Sequence, residues 1–187
     1  MSSLRHYILL LLTASCSMTH QHPIQSSYAE EGRFEDYTSY TLVSNEQVET
    51  LEQRAIEKGI TAHMNSLGYQ EDTENPSLYI YYQVYQEDFK LTTEDQAPLE
   101  NWLARKGYFS EDDNKDTHQT TSKIHGHSLF ISFYDPQIQR EVWQGHMSNL
   151  HAISTQNHRA AAQIVLSQYP LMAKSSRQTY SKHYALR

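Results

Sequence analysis

Cys16 is the only cysteine in the 187 residues, and it closes the opening apolar run L-R-H-Y-I-L-L-L-L-T-A-S-C from Leu4. A basic start at Arg5, a greasy centre from Ile8 to Leu12 and small residues before a cleavage point have the form of a secretory signal. A signal that ends on cysteine is the bacterial lipoprotein arrangement. Cleavage is expected between Ser15 and Cys16, with the thiol taking a diacylglyceryl group and, after palmitate is added at the new amino terminus, tying the chain to a membrane. The apolar run is well short of the ~20 residues a helix needs to span a bilayer, so the expected anchor is lipid. Ser17, where inner-membrane retention would want Asp, points to the outer membrane, with the domain facing the periplasm. Ordinary cleavage near Ser15 would instead leave a soluble periplasmic protein with an incidental thiol.

Histidine is the second chemical resource, with eleven in the chain. His125-Gly126-His127 would place two imidazoles on one face of a strand, a spacing that can chelate zinc or copper, and His146 on the next strand could add a third ligand. A pair of hydrogen-bonded or exposed histidines at a strand end is the plainer reading, since no cysteine or spaced carboxylate completes the set. His63 falls on the apolar side of a helix and reads as a core histidine. Asp112-x-Asn114-x-Asp116 imitates half a calcium loop, but Thr117 stands in place of the required glycine and Lys123 in place of the bidentate glutamate.

Tyrosine is the third. In Leu78 to Tyr85 the aliphatic residues alternate with Tyr79, Tyr81 and Tyr85, so these rings leave the opposite face of a strand. Rings exposed there would stack on sugars or bury under a partner protein, with Trp102 as a further candidate. Alternatively the segment around Trp102 and Leu103 folds over the rings and hides them.

Catalysis is not expected. The chain has no G-x-S-x-G elbow and no phosphate-cradling glycine loop, with only six glycines in all. The acidic pairs Glu30-Glu31 and Asp112-Asp113 lie in polar stretches where nothing would raise a pKa. No cofactor beyond the lipid on Cys16 is implied. Net charge is −7, and becomes −8 when Arg5 leaves with the signal (14 basic against 22 acidic residues), which argues against a nucleic-acid partner.

Elements that would position these groups follow from local pattern. Residues 16–33, with Pro23 and Gly32, read as a polar tether, and residues 34–172 as one domain. Residues 34–43 read as a first strand. Ser44 with Gln47 forms a capping box for an amphipathic helix that stops at Gly68. Leu78 to Tyr85 is the second strand. Within an insertion at 86–122, Pro98 to Lys106 could form a short helix. Two more strands, Lys123 to Tyr134 and Glu141 to Ser148, turn at Asp135-Pro136, and a last helix ends at Pro170. Residues 173–187, basic and without acid, read as a loose tail. The order β-α-β-β-β-α predicts an α+β fold: an antiparallel-rich sheet of about four strands with two helices on one face, a two-layer sandwich.

Taken together, Phe34-x-x-Tyr37-x-x-Tyr40, Leu67-Gly68-Tyr69, Pro76-x-Leu78-x-Ile80-x-Tyr82, Leu129-x-Ile131-x-Phe133-x-Asp135, Val142-Trp143-Gln144-Gly145 and Tyr169-Pro170 resemble the bacterial envelope lipoproteins of domain-of-unknown-function family 4136. Ser77 departs from the Asp that the family favours there. The resemblance implies a non-enzymatic envelope lipoprotein of unassigned role and transfers no catalytic residue. The expectation is a binding or assembly accessory to an envelope protein or to peptidoglycan, with metal handling through His125 and His127 as the alternative.

Overall fold

The computed structural model describes residues 24–44, 50–105, 119–150 and 157–177. Cys16, the calcium-like run at 112–117 and the end of the basic tail lie outside these residues. Among them are eight strands and three longer helices: β1 (Ile24–Tyr28), β2 (Ser39–Val43), α1 (Leu51–Ser66), β3 (Gln70–Glu71), β4 (Leu78–Tyr85), β5 (Phe89–Glu94), α2 (Leu99–Arg105), β6 (Gln119–Ile124), β7 (Ser128–Asp135), β8 (Arg140–Met147) and α3 (His158–Leu166).

The α+β class is as expected, but the sheet is larger and more mixed. Six strands form one sheet in the order β1-β8-β7-β4-β2-β3, with β2 parallel to both β3 and β4 and the other pairs antiparallel. β5 and β6 form a separate two-stranded sheet inside the insertion. Two expectations are corrected at the ends of the domain. Residues 24–28, read as tether, are β1, paired along its length with β8. The start of the tail is docked: Ala173 is fully buried, its N–H donates to the Leu67 carbonyl at 2.9 Å, and Arg177 reaches the Phe34 carbonyl at 3.0 Å.

Helix α1 begins later than expected. Thr50, not Ser44, is the N-cap, and it forms a full capping box with Gln53. Residues 44–53 carry two such S/T-x-x-Q signals in succession, and only the second is followed at once by the buried helix positions Ile56, Gly59, Ile60 and Met64. The stop is as expected. Gly68 takes φ +84°, its N–H donates to Asn65 and that of Tyr69 to Met64, both at 3.0 Å, which is the Schellman pairing.

Period-2 alternation decides which face of the sheet is core. Leu78, Ile80 and Tyr82 of β4, Leu129, Ile131 and Phe133 of β7, and Trp143 and Met147 of β8 are buried on the side covered by α1 and α3. At the centre Trp143 packs against Phe133 and Tyr169, with ring centroids 4.8 and 5.5 Å away. A Cβ on Gly145 would strike that indole at 2.6 Å, so the Trp-x-Gly spacing is a packing device.

Candidate functional site

The face of the sheet turned away from α1 and α3 carries the residues most suited to binding. Register places Tyr79 opposite Tyr134 and Tyr81 opposite Ser132, all on this face. Tyr79, Tyr81 and Tyr134 are half-buried, and the Tyr81 and Tyr134 rings meet edge to face at 6.4 Å. Tyr85 is 36% exposed and leans on Phe89 at 4.8 Å and Phe130 at 6.2 Å, which ties the base of the β5–β6 sheet to the row. Trp102 does not join them. It packs 5.4 Å from Tyr28 and 6.3 Å from Phe34, on the core side, because Tyr28 stands opposite Trp143 in the β1–β8 register. The insertion helix therefore buries its indole elsewhere, and Trp102 does not cover Tyr79 and Tyr81.

Toward β1 the same face turns polar. Glu141 stands opposite Tyr134, and Gln144 lies between Ser132 and Ser27, donating to the Ser27 hydroxyl at 2.6 Å. A cleft of about 530 Å³ opens there, lined by Ser27, Glu30, Glu31, Thr92, Thr93, Gln96, Glu141 and Gln144 among others. Glu141 is an exposed residue overall, yet loss of solvent around its carboxyl pushes its pKa up, opposed by a hydrogen bond with Ser132. Hydroxyls, amides and carboxylates beside an aromatic row can together hydrogen-bond and stack on one ligand.

The histidines are not assembled as expected. Residues 125–127 form the turn between β6 and β7, with His127 at φ +54°, so His125 and His127 do not share a strand face. His125 instead leans on Asp88 (Nδ1 to Oδ2 3.4 Å), which also takes Lys123 at 2.8 Å and the Gly126 N–H at 2.9 Å. These donors lower the Asp88 pKa to about 2. His146 is 2% exposed on β8, and burial holds its pKa below the usual histidine value. Among the described residues no three His, Cys, Asp or Glu side chains gather as a metal set. His63 is a half-buried core histidine whose Nε2 lies 3.4 Å from the Tyr169 carbonyl, with its pKa lowered by burial.

Two polar positions escaped the sequence reading. Asp135, read there only as a turn residue, is fully buried and accepts Arg33 through Nε (2.9 Å) and Nη2 (3.0 Å), Tyr37 Oη (3.0 Å) and the Gln137 N–H (2.8 Å). Ser77 accepts the Thr38 and Ser39 N–H groups at 3.0 and 2.9 Å and donates to the Ser39 carbonyl, fixing the start of β2. Both hold the scaffold that presents the tyrosine face.

Comparison with known proteins bears on the fold. A DUF4136 family protein from Bacteroides thetaiotaomicron is similar in structure, with TM-score 0.52, 15% identity, and 82% of this chain and 98% of that one covered. A PDZ domain protein from Parabacteroides distasonis (TM-score 0.49, 13% identity, 80% of this chain and 35% of that one) and the PelC dodecamer from Paraburkholderia phytofirmans (TM-score 0.43, 8% identity, 80% and 97%) are more distant. No curated protein matches in sequence. The domain of unknown function family DUF4136 matches residues 24–171, so the span from β1 to just beyond α3 belongs to it, and the chain is a DUF4136 protein.

Proposed function

We propose that this chain is a non-catalytic binding module of a bacterial envelope, tied by lipid on Cys16 to the periplasmic side of the outer membrane, and that its ligand lies across the face of the sheet turned away from α1 and α3. The observation that carries this reading is the half-exposed row Tyr79, Tyr81 and Tyr134 adjoining the Glu141–Gln144 cleft. A glycan fits that pairing best. Flat rings stack on the apolar faces of sugars, and neighbouring amides, hydroxyls and carboxylates take sugar hydroxyls. In the envelope the glycan within reach of a lipid-tethered periplasmic domain is peptidoglycan; a partner protein docking on the same rings is the other form of this reading. Among the described residues no helix is long and apolar enough to cross a membrane, so the proposed attachment depends on the lipid.

The test is co-sedimentation of the full chain with purified sacculi. Replacing Tyr79 and Tyr81 together by Ala should weaken it roughly ten-fold or more, since each stacked ring contributes about 1 kcal/mol. Equal sedimentation by a folded double variant would reject the glycan site. Metabolic labelling with a palmitate analogue should mark the natural chain and spare Cys16→Ala; label on both, or on neither, would reject the anchor.

A further inference from the structure

We propose that the outer edge of β1 accepts an extended peptide segment bearing Lys or Arg, which adds to the large sheet as a further strand. Among the described residues β1 is the last strand of that sheet on its side, paired with β8 and with no second strand. In an antiparallel pair successive residues turn their N–H and C=O alternately toward and away from the partner. The Ala29 N–H donates to the Val142 carbonyl of β8 at 2.9 Å, so Tyr28 faces outward, and by the same alternation so do Ser26 and Ile24.

The first outward position is already filled in the manner of a strand. The Gln96 side-chain amide accepts the Tyr28 N–H at 3.0 Å and donates to the Tyr28 carbonyl at 2.8 Å. That is the pair of bonds a neighbouring peptide group would make. At Ser26 and Ile24 no described residue does the same. Instead a groove of about 320 Å³ runs beside them, walled on the far side by Thr93, Asp95, Gln96 and Leu99. Unpaired strand edges of this kind are templates for another chain, and native proteins usually blunt them with Lys or Pro. β1 has neither.

Charge selects the occupant. Asp95 lines the groove, and Glu30 and Glu31 line the adjoining cleft, where Glu31 is already paired with Arg140 at 2.6 Å; among the described residues neither lining includes Lys or Arg. Main-chain bonds would supply affinity and the acidic walls a preference for a basic segment. The inference rests on the strand edge and uses none of the tyrosines of that face, although the acidic cleft beside the groove is the one that adjoins them.

Calorimetric titration of the full chain with the capped hexapeptide Lys-Val-Lys-Val-Lys-Val tests it. Saturable binding is expected, and the Glu-Val hexapeptide should not bind. Ser26→Pro removes an N–H that β8 does not use, so β1 stays paired while the new ladder loses a donor. Binding should fall about ten-fold per lost bond, as it should when the peptide's own alternate amides are N-methylated. The proposal is overturned if the Lys-Val peptide shows no saturable heat, if Ser26→Pro with an unchanged melting temperature binds it equally well, or if the Glu-Val peptide binds alike. It is also overturned in favour of a second copy of the chain if sedimentation shows a dimer that Ser26→Pro dissolves.

Discussion

At the scale of single residues, the domain turns on polar groups whose partners are far away in sequence. Asp135 is fully buried and receives the Arg33 guanidinium by two bonds, with Arg33 102 residues earlier. Removing one member of a buried pair strands the other charge away from water, at about 3–5 kcal/mol. Tyr37 and the backbone N–H groups still serve Asp135, so Arg33→Ala should cost near the lower end, about 3 kcal/mol, read by urea unfolding; a loss under ~1 kcal/mol would show that those donors suffice. Glu141 makes a pH prediction of opposite flavour. Its folded pKa is raised, so the folded state holds the proton more tightly than the unfolded chain does. The group therefore costs no stability below the unfolded value of about 4.3 and lowers it as pH rises through the folded value. Glu141→Gln should melt higher than the natural chain at neutral pH and equally in acid. A difference that grows on acidification would contradict the assignment. The sequence displays Asp135 as a plausible turn residue but not as an anchor, because nothing local announces that Arg33 lies beside it.

At the scale of elements, pattern was informative where a segment settles its own geometry and weak where a neighbour does. The β4 alternation and the Schellman stop at Gly68 were legible because period and αL geometry are local. The α1 cap lies six residues beyond the one the sequence suggests, since Ser44 and Thr50 offer the same cap and burial of the following face chooses between them. β1 was missed because its Gln25 and Ser27 make a five-residue strand look polar, and only pairing with β8 reveals it. Alternation alone puts His125 and His127 on one strand face, because the sequence does not announce the turn that separates β6 from β7. Gly59 shows tertiary context reversing a propensity. On an exposed helix Gly→Ala gains up to ~1 kcal/mol. Here the added carbon would lie 2.4 Å from the Arg159 carbonyl of α3 and 2.9 Å from the Ala162 Cβ. Gly59→Ala should thus destabilise by about 1–3 kcal/mol in denaturant unfolding, and a stabilised variant would mean that α1 and α3 do not cross this closely.

At the scale of the whole molecule, the helices pack on one face of the sheet, and the proposed binding face is the other. Helices α1 and α3 bury the aliphatic side of the six-stranded sheet around Trp143, and the insertion sends Trp102 to the same side. Half of the tyrosine surface was legible in β4 alone. The rest, Tyr134 and the Glu141–Gln144 cleft, depended on the order in which β7 and β8 flank it. The central claim, that this face is where the ligand sits, is tested most directly by hydroxyl-radical footprinting of the natural chain with and without soluble peptidoglycan fragments. The account predicts that oxidation of Tyr79, Tyr81 and Tyr134 falls when the fragments are present. Unchanged labelling at all three, with protection appearing on α1 or α3 instead, would contradict it.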